Sequence, residues 1–287
     1  MDLHETQSVF SDPGELDTDA LPGDPAELAA VVRQLIIHRL ECAHVGYAVP
    51  EERLREDAES RYADEILRLL RERSDAPLTQ PRPPEERFVG TCRDFALLLC
   101  SLLRATGTAA RIRCGFARYF AAGFHDDHWV AEYRLPDGSW RLADAQILDP
   151  SYRVPFDPLD VPRDQFLVAG DAWRLCRAGR ADAATFGVSH LGGLQGLWFV
   201  RSNVLHDLAA LNGVEVLPWD GWGREILDDG ALTEADLVLA DAVAGAGSQE
   251  ELRRLYQDPR LTVPDEIVSY TTYGGVRKVT LRAGDRR

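Results

Sequence analysis

Between residues 90 and 144 the hydrophobic pattern changes period, from helical to alternating, and this change limits the fold more than any other feature of the chain. Phe95, Ala96, Leu98, Leu99, Leu102 and Leu103 lie almost all round a helix that starts at Gly90 or Thr91. The spacing therefore predicts a central, buried helix, with Gly107 as its C-terminal cap. Residues 110–120 then alternate, Ile112, Cys114 and Phe116 on one face with arginines between them. Residues 128–135 and 140–147 read as two further strands about the turn Pro136-Asp137-Gly138-Ser139. A helix followed by an antiparallel meander belongs to the α+β class.

The flanking segments supply the rest of the organisation. Residues 1–23 carry six acids and no Lys or Arg, which predicts a mobile acidic tail. Asp24-Pro25 is a cap followed by a first-turn proline, opening a helix expected to run through Leu40 to Gly46. A second, amphipathic helix is expected over 50–73, followed by a proline-rich linker over 74–84. We expect 24–150 to form one core and 151–287 a mostly helical region packed on it, with helices near 165–178, 194–211, 234–244 and 249–256. Residues 267–282 read as extended, and Pro218 to Gly223 as a structured loop.

Composition removes several functional classes. A net charge of −15 repels phosphate backbones, which argues against nucleic acid as a partner. No apolar run approaches the ~20 residues of a bilayer span, and the first residues lack a basic start and an apolar core, so the expected location is cytoplasmic. The five cysteines form no CxxC pair and imply no disulfide framework.

One of them stands apart. Cys92 falls in the first turn of the predicted helix, where unpaired N–H groups and the positive dipole end favour a thiolate and an oxyanion. Gly90 before it would give a substrate room to approach. A nucleophile needs a base and the base an orienter. Pairing about the 136–139 turn sets positions summing to about 275 opposite one another. His128 and Asp144 are then near neighbours, as a carboxylate accepting from an imidazole requires. His125-Asp126-Asp127-His128 can also be read as a metal cluster. Adjacent residues on an extended chain point in alternate directions, so no metal site is expected there, and His125 is placed in a loop at the cleft mouth. Asp94 reads as a solvated or capping acid, or as the partner of a nearby arginine, and Trp129 as a cover for the three residues or a core side chain. Arg201, Asn203 and His206 form a weaker candidate patch.

The set Gly90, Cys92, Asp94, Ala96, then His128-Trp129-Val130 with Glu132, then Trp140 and Asp144, resembles the transglutaminase-like superfamily, in particular its bacterial cysteine enzymes. The resemblance implies a papain-like core in which Cys92 is nucleophile, His128 base and acid, and Asp144 orienter. Gly90, Thr91, Trp129 and His125 would lie around the substrate and the oxyanion. It implies an acyl-enzyme formed from an amide or thioester and resolved by water or an amine, with no cofactor. The substrate would be a small-molecule, peptide or carrier-bound acyl group. The alternative is an inactive scaffold that grips a peptide or carrier protein. No tryptophan precedes Cys92 closely and no EF-hand loop is present, which counts against an animal-type, calcium-dependent cross-linker.

Overall fold

The computed structural model describes residues 3–271 and 275–284. The chain divides into two compact units, residues 1–112 with 130–161 and residues 113–129 with 162–287. The expected division at residue 150 is thus replaced by a discontinuous one. Its physical reason is strand pairing: residues 113–129 find their partners in the C-terminal half of the chain.

In the first unit, Asp24 caps α1 (Pro25–Leu35), its carboxylate accepting the N–H groups of Ala26 at 2.8 Å and Glu27 at 3.2 Å. The helix does not continue to Gly46. The β-branched pair Ile36-Ile37 leaves it as β1 (Ile36–His38) and pairs in parallel with β2 (Phe88–Gly90), while Leu40 stays exposed. The single helix expected over 50–73 is two, α2 (Glu51–Ala58) and α3 (Ala63–Arg73). In one straight helix residues 57 and 73 would be about 24 Å apart. The break folds α3 back, so that Arg73 bonds the buried Asp57 carboxylate, which also accepts the Val89 N–H at 2.7 Å. The proline-rich linker is tied down as well, by Arg82 donating to the carbonyls of Leu70 and Ala76.

The mobile tail expected at the N-terminus is not what the described residues form; residues 1–2 lie outside them. Phe10 is buried and stacks on Tyr62 at 5.0 Å, Gln7 donates to the Ser101 carbonyl at 2.9 Å, and Arg104 donates to the Ser11 hydroxyl at 2.8 Å. The few apolar and small polar residues of this segment suffice to dock it, and its acids from Asp12 onward remain largely at the surface.

Helix α4 (Cys92–Ala105) is buried from Cys92 to Arg104, as its all-round apolar pattern requires, and packs against an antiparallel sheet. Gly107 follows it with φ +89°. Strands β3 (Ala110–Ala117) and β4 (His125–Arg134) each pass from one unit to the other. Within the first unit β4 pairs with β5 (Trp140–Ala143) in the register Ala131↔Ala143, one residue from the expected one. Gly138 takes φ +87° in the turn between them.

In the second unit β3 pairs with β6 (Phe166–Val168), and the start of β4 pairs in parallel with β7 (Phe186–Gly187). Helices α5 (Ala169–Arg177) and α6 (Leu197–Leu211) close a core with Phe116, Trp173, Phe186 and Val204. The loop expected over 218–223 contains β8 (Asp220–Gly221). After α7 (Glu234–Gly245) and α8 (Gln249–Tyr256), β8 pairs with β9 (Glu266–Tyr270), which pairs with β10 (Val276–Thr280). Residues 272–274 of the expected extended stretch lie outside the described residues. Among those described, no helix is long and apolar enough to cross a membrane.

Candidate active site

Cys92 is the first residue of α4 and Thr91 its cap. The first backbone bonds of the helix run from the Asp94 and Phe95 N–H groups to the Thr91 carbonyl, at 3.0 and 3.3 Å, so the Cys92 N–H precedes the ladder. Asp94 holds this turn. Its carboxylate accepts from the Thr91 N–H at 2.8 Å, the Thr91 hydroxyl at 3.1 Å and Arg93 Nη1 at 3.1 Å. The capping and arginine-pair readings of Asp94 both apply, but the acid is buried, not solvated. Burial pushes its carboxyl above the ordinary value, against Arg93 and Thr91, which favour the ionised form. Gly90 serves this cap and not the approach of a substrate. A Cβ there would lie 3.0 Å from Asp94 Oδ2 and 3.1 Å from Ile36 Cγ2, so the space is already taken.

Cys100 and Cys114 are fully buried. Burial pushes Cys42 and Cys176 up to about 11, helped by Glu41 for the first and by Asp182 and Asp229 for the second.

Asp144 follows β5 directly and is buried. Its N–H donates to the Pro158 carbonyl at 2.8 Å and its Oδ1 accepts the Gln146 N–H at 3.1 Å. Gln146 opens a polar chain that the sequence analysis missed. Its Nε2 donates to the Tyr152 hydroxyl at 3.0 Å, Tyr152 donates to Glu41, and Arg33 bridges Glu41 at 2.8 Å and Asp149 at 2.7 Å. Arg33 also sits over the Phe95 ring of α4, 5.6 Å from its centroid. Burial and the Glu41 carboxylate keep the Tyr152 phenol protonated. Burial opposes ionisation of Asp149, but Arg33 and Ser151 outweigh it and hold the carboxyl at about 2. No periodicity announces these partners; Arg33 and Asp149 are 116 positions apart.

The remaining predicted site residues belong to the second unit. His128 is buried, with the ring of Phe120 edge-on at 4.8 Å, Tyr119 at 5.9 Å and Phe166 at 6.2 Å. His125 is not in a loop at a cleft mouth. It opens β4, stacks on Phe186 at 4.0 Å and 3°, and brings Nδ1 to 3.3 Å from the Thr185 carbonyl. Burial lowers its pKa. His125 and His128 are an odd number of residues apart and face opposite sides of the strand.

The same alternation sends Trp129 away from His128. Trp129 is a core side chain, edge-on to His206 at 5.9 Å, and does not cover the neighbouring imidazole. The patch of Arg201, Asn203 and His206 does not converge either. Asn203 donates to Asp127 at 2.7 Å, Arg201 pairs with Asp236 at 3.4 Å, and both ring nitrogens of His206 meet backbone carbonyls at 2.9 Å.

Comparison with known proteins agrees with the motif reading. The family model described as the transglutaminase-like superfamily matches residues 52–145, a span that contains Cys92, His128 and Asp144. No curated protein and no solved structure matches the chain. Residues 52–145, with Cys92 opening a buried helix that packs against an antiparallel sheet, are a domain of the transglutaminase-like superfamily, most of whose members are cysteine-dependent enzymes.

Proposed function

We propose that the protein is a cysteine acyltransferase or amide hydrolase working through a thioester acyl-enzyme, with Cys92, His128 and Asp144 as its triad. The observation that carries this reading is the position of Cys92, at the head of a helix whose cap is fixed by Asp94, inside a domain of this superfamily. The Cys92 sulfur attacks the acyl carbon of an amide or thioester, its proton passing to His128. The helix-tip N–H groups stabilise the oxyanion. The tetrahedral adduct collapses as the bond to the leaving amine or thiol breaks and His128 returns the proton to it. Water or an amine then attacks the thioester, gives its proton to His128, and the sulfur leaves. Asp144 orients the imidazole throughout.

This cycle needs neither metal nor cofactor. A small-molecule, peptide or carrier-bound acyl substrate fits it, while the acidic surface disfavours nucleic acid. The five free cysteines suit a reducing, cytoplasmic setting.

The test is intact-protein mass spectrometry after exposure to acyl thioesters. One acyl group on Cys92, lost in Cys92→Ser and slowed at least about a hundredfold in His128→Ala, is the expected result. Binding of an acyl-bearing peptide without an adduct on Cys92 would make the protein a scaffold instead.

A further inference from the structure

We infer that the group His128 protonates or deprotonates during the reaction carries an apolar, aromatic body, and that Phe120 and Tyr119 select it. This rests on the triad reading above. A general base and acid must touch the heteroatom that leaves or attacks, so whatever surrounds its ring also surrounds that partner and not the far end of the acyl chain. Around His128 those neighbours are aromatic. Phe120 stands edge-on at 4.8 Å and Tyr119 at 5.9 Å, with their own rings 4.7 Å apart. Phe166 backs the imidazole at 6.2 Å and is itself fully buried. Tyr119 and Phe120 differ from Phe166 in being only half-buried, so part of each ring remains for a ligand.

The loop that carries them is anchored at its base. The Arg118 N–H donates to the Gln165 carbonyl at 2.9 Å, and Arg118 Nη1 to the Asp164 carbonyl at 3.2 Å. Two half-exposed rings on an anchored loop offer apolar area and edge-to-face contacts to an aromatic group at little entropic cost. Phe120 offers a hydroxylated group nothing for its lost water, and of the two only the Tyr119 hydroxyl can hydrogen-bond.

Two thioesters with one acyl group and leaving thiols of nearly equal acidity separate this inference from the triad itself: S-benzyl and S-(2-hydroxyethyl) thioacetate. The readout is the rate of acetylation of Cys92 at concentrations below saturation. In the wild-type protein the benzyl thioester is expected to react about tenfold faster or more, and Phe120→Ala, Phe120→Leu and Tyr119→Ala each to bring that ratio closer to one. Equal rates in the wild-type protein, or a faster hydroxyethyl thioester, would overturn the aromatic selection while leaving the triad standing. A benzyl preference that persists undiminished in all three variants would remove Phe120 and Tyr119 from it. Acetylation of Cys92 by neither thioester would sink both readings together.

Discussion

Selective alkylation of the cysteines at pH 7 sets chemical environment against exposure. Cys176 is the one cysteine that is not buried, whereas Cys92 is only 9% exposed. If access governed the reaction, Cys176 would be labelled first. Its thiol, however, is pushed up to about 11, by burial first and then by Asp182 and Asp229. At pH 7 such a group is ionised to about one part in 10⁴, against about 3% for an ordinary thiol near 8.5. Cys176 thus carries about 300-fold less thiolate than a free cysteine does. The more basic thiolate is intrinsically the better nucleophile, by about 10- to 20-fold over this interval, which leaves Cys176 about 15 to 30 times slower than a free cysteine. Cys42, also at about 11, is handicapped in the same way, and Cys100 and Cys114 are fully buried. With substoichiometric iodoacetamide and peptide mass spectrometry, Cys92 should be labelled ahead of the handicapped Cys176, and an activating His128 should widen that gap. Equal labelling, or Cys176 ahead, would refute the assignment of Cys92 as the reactive thiol. A gap unchanged in His128→Ala would refute its activation.

Three further outcomes follow from the packing. Burial raises the Asp127 carboxyl to about 6, against Asn203, which favours ionisation. Because this lies above the unfolded value near 3.9, its stabilising contribution is full below about pH 4 and is lost as pH rises through about 6, about 2 kcal/mol in all for a half-buried group. Asp127→Asn should flatten that slope in urea titrations at pH 4.5 and 8, and parallel slopes would count against it. Asp207 accepts Arg113 Nε at 3.0 Å and Nη2 at 2.8 Å and the Cys114 N–H at 2.9 Å, so Asp207→Ala strands a buried guanidinium. The expected loss is about 3–5 kcal/mol, and a loss below about 1 kcal/mol would show the pair to be dispensable. A Cβ on Gly115 would fall 2.2 Å from the Leu167 carbonyl oxygen, so Gly115→Ala should force β3 and β6 apart and lower the urea midpoint by the equivalent of about 2–3 kcal/mol.

What could be read from the sequence was local, and what could not was distant. The Asp24 cap, the buried helix from Cys92, Gly107 after it and the turn at Gly138 each rest on residues a few positions apart, and each is found where expected. Ile36 to His38 continue a helical period, and only Phe88 to Gly90, 52 positions on, make them a strand. Asp57 and Arg73 lie on one apparent helix, and their pairing requires the break that periodicity conceals. Gly90 has the same character: before a nucleophile it suggests room, but the room is filled by Asp94 and by Ile36 from another element. The chain from Gln146 through Tyr152 and Glu41 to Arg33 draws on three segments with no shared pattern.

The His-Trp-Val run shows how a strand divides labour between adjacent residues. Neighbours on a strand face opposite sides, so a motif that looks like one functional cluster must split. On β4 it does: His128 meets the half-exposed rings of Tyr119 and Phe120, while Trp129 turns to His206 and away from them. A slip of one residue would exchange the two, placing an indole where the proposed proton carrier belongs. Contacts on both sides of the pair oppose that slip. Ahead of it His125 stacks on Phe186; beyond it the Ala131↔Ala143 pair fixes the register. The residues nearest His128 that take no part in the proposed chemistry therefore determine which side chain faces those rings. Weakening them, as in His125→Ala, should lower the rate of Cys92 acylation without removing any group of the proposed triad.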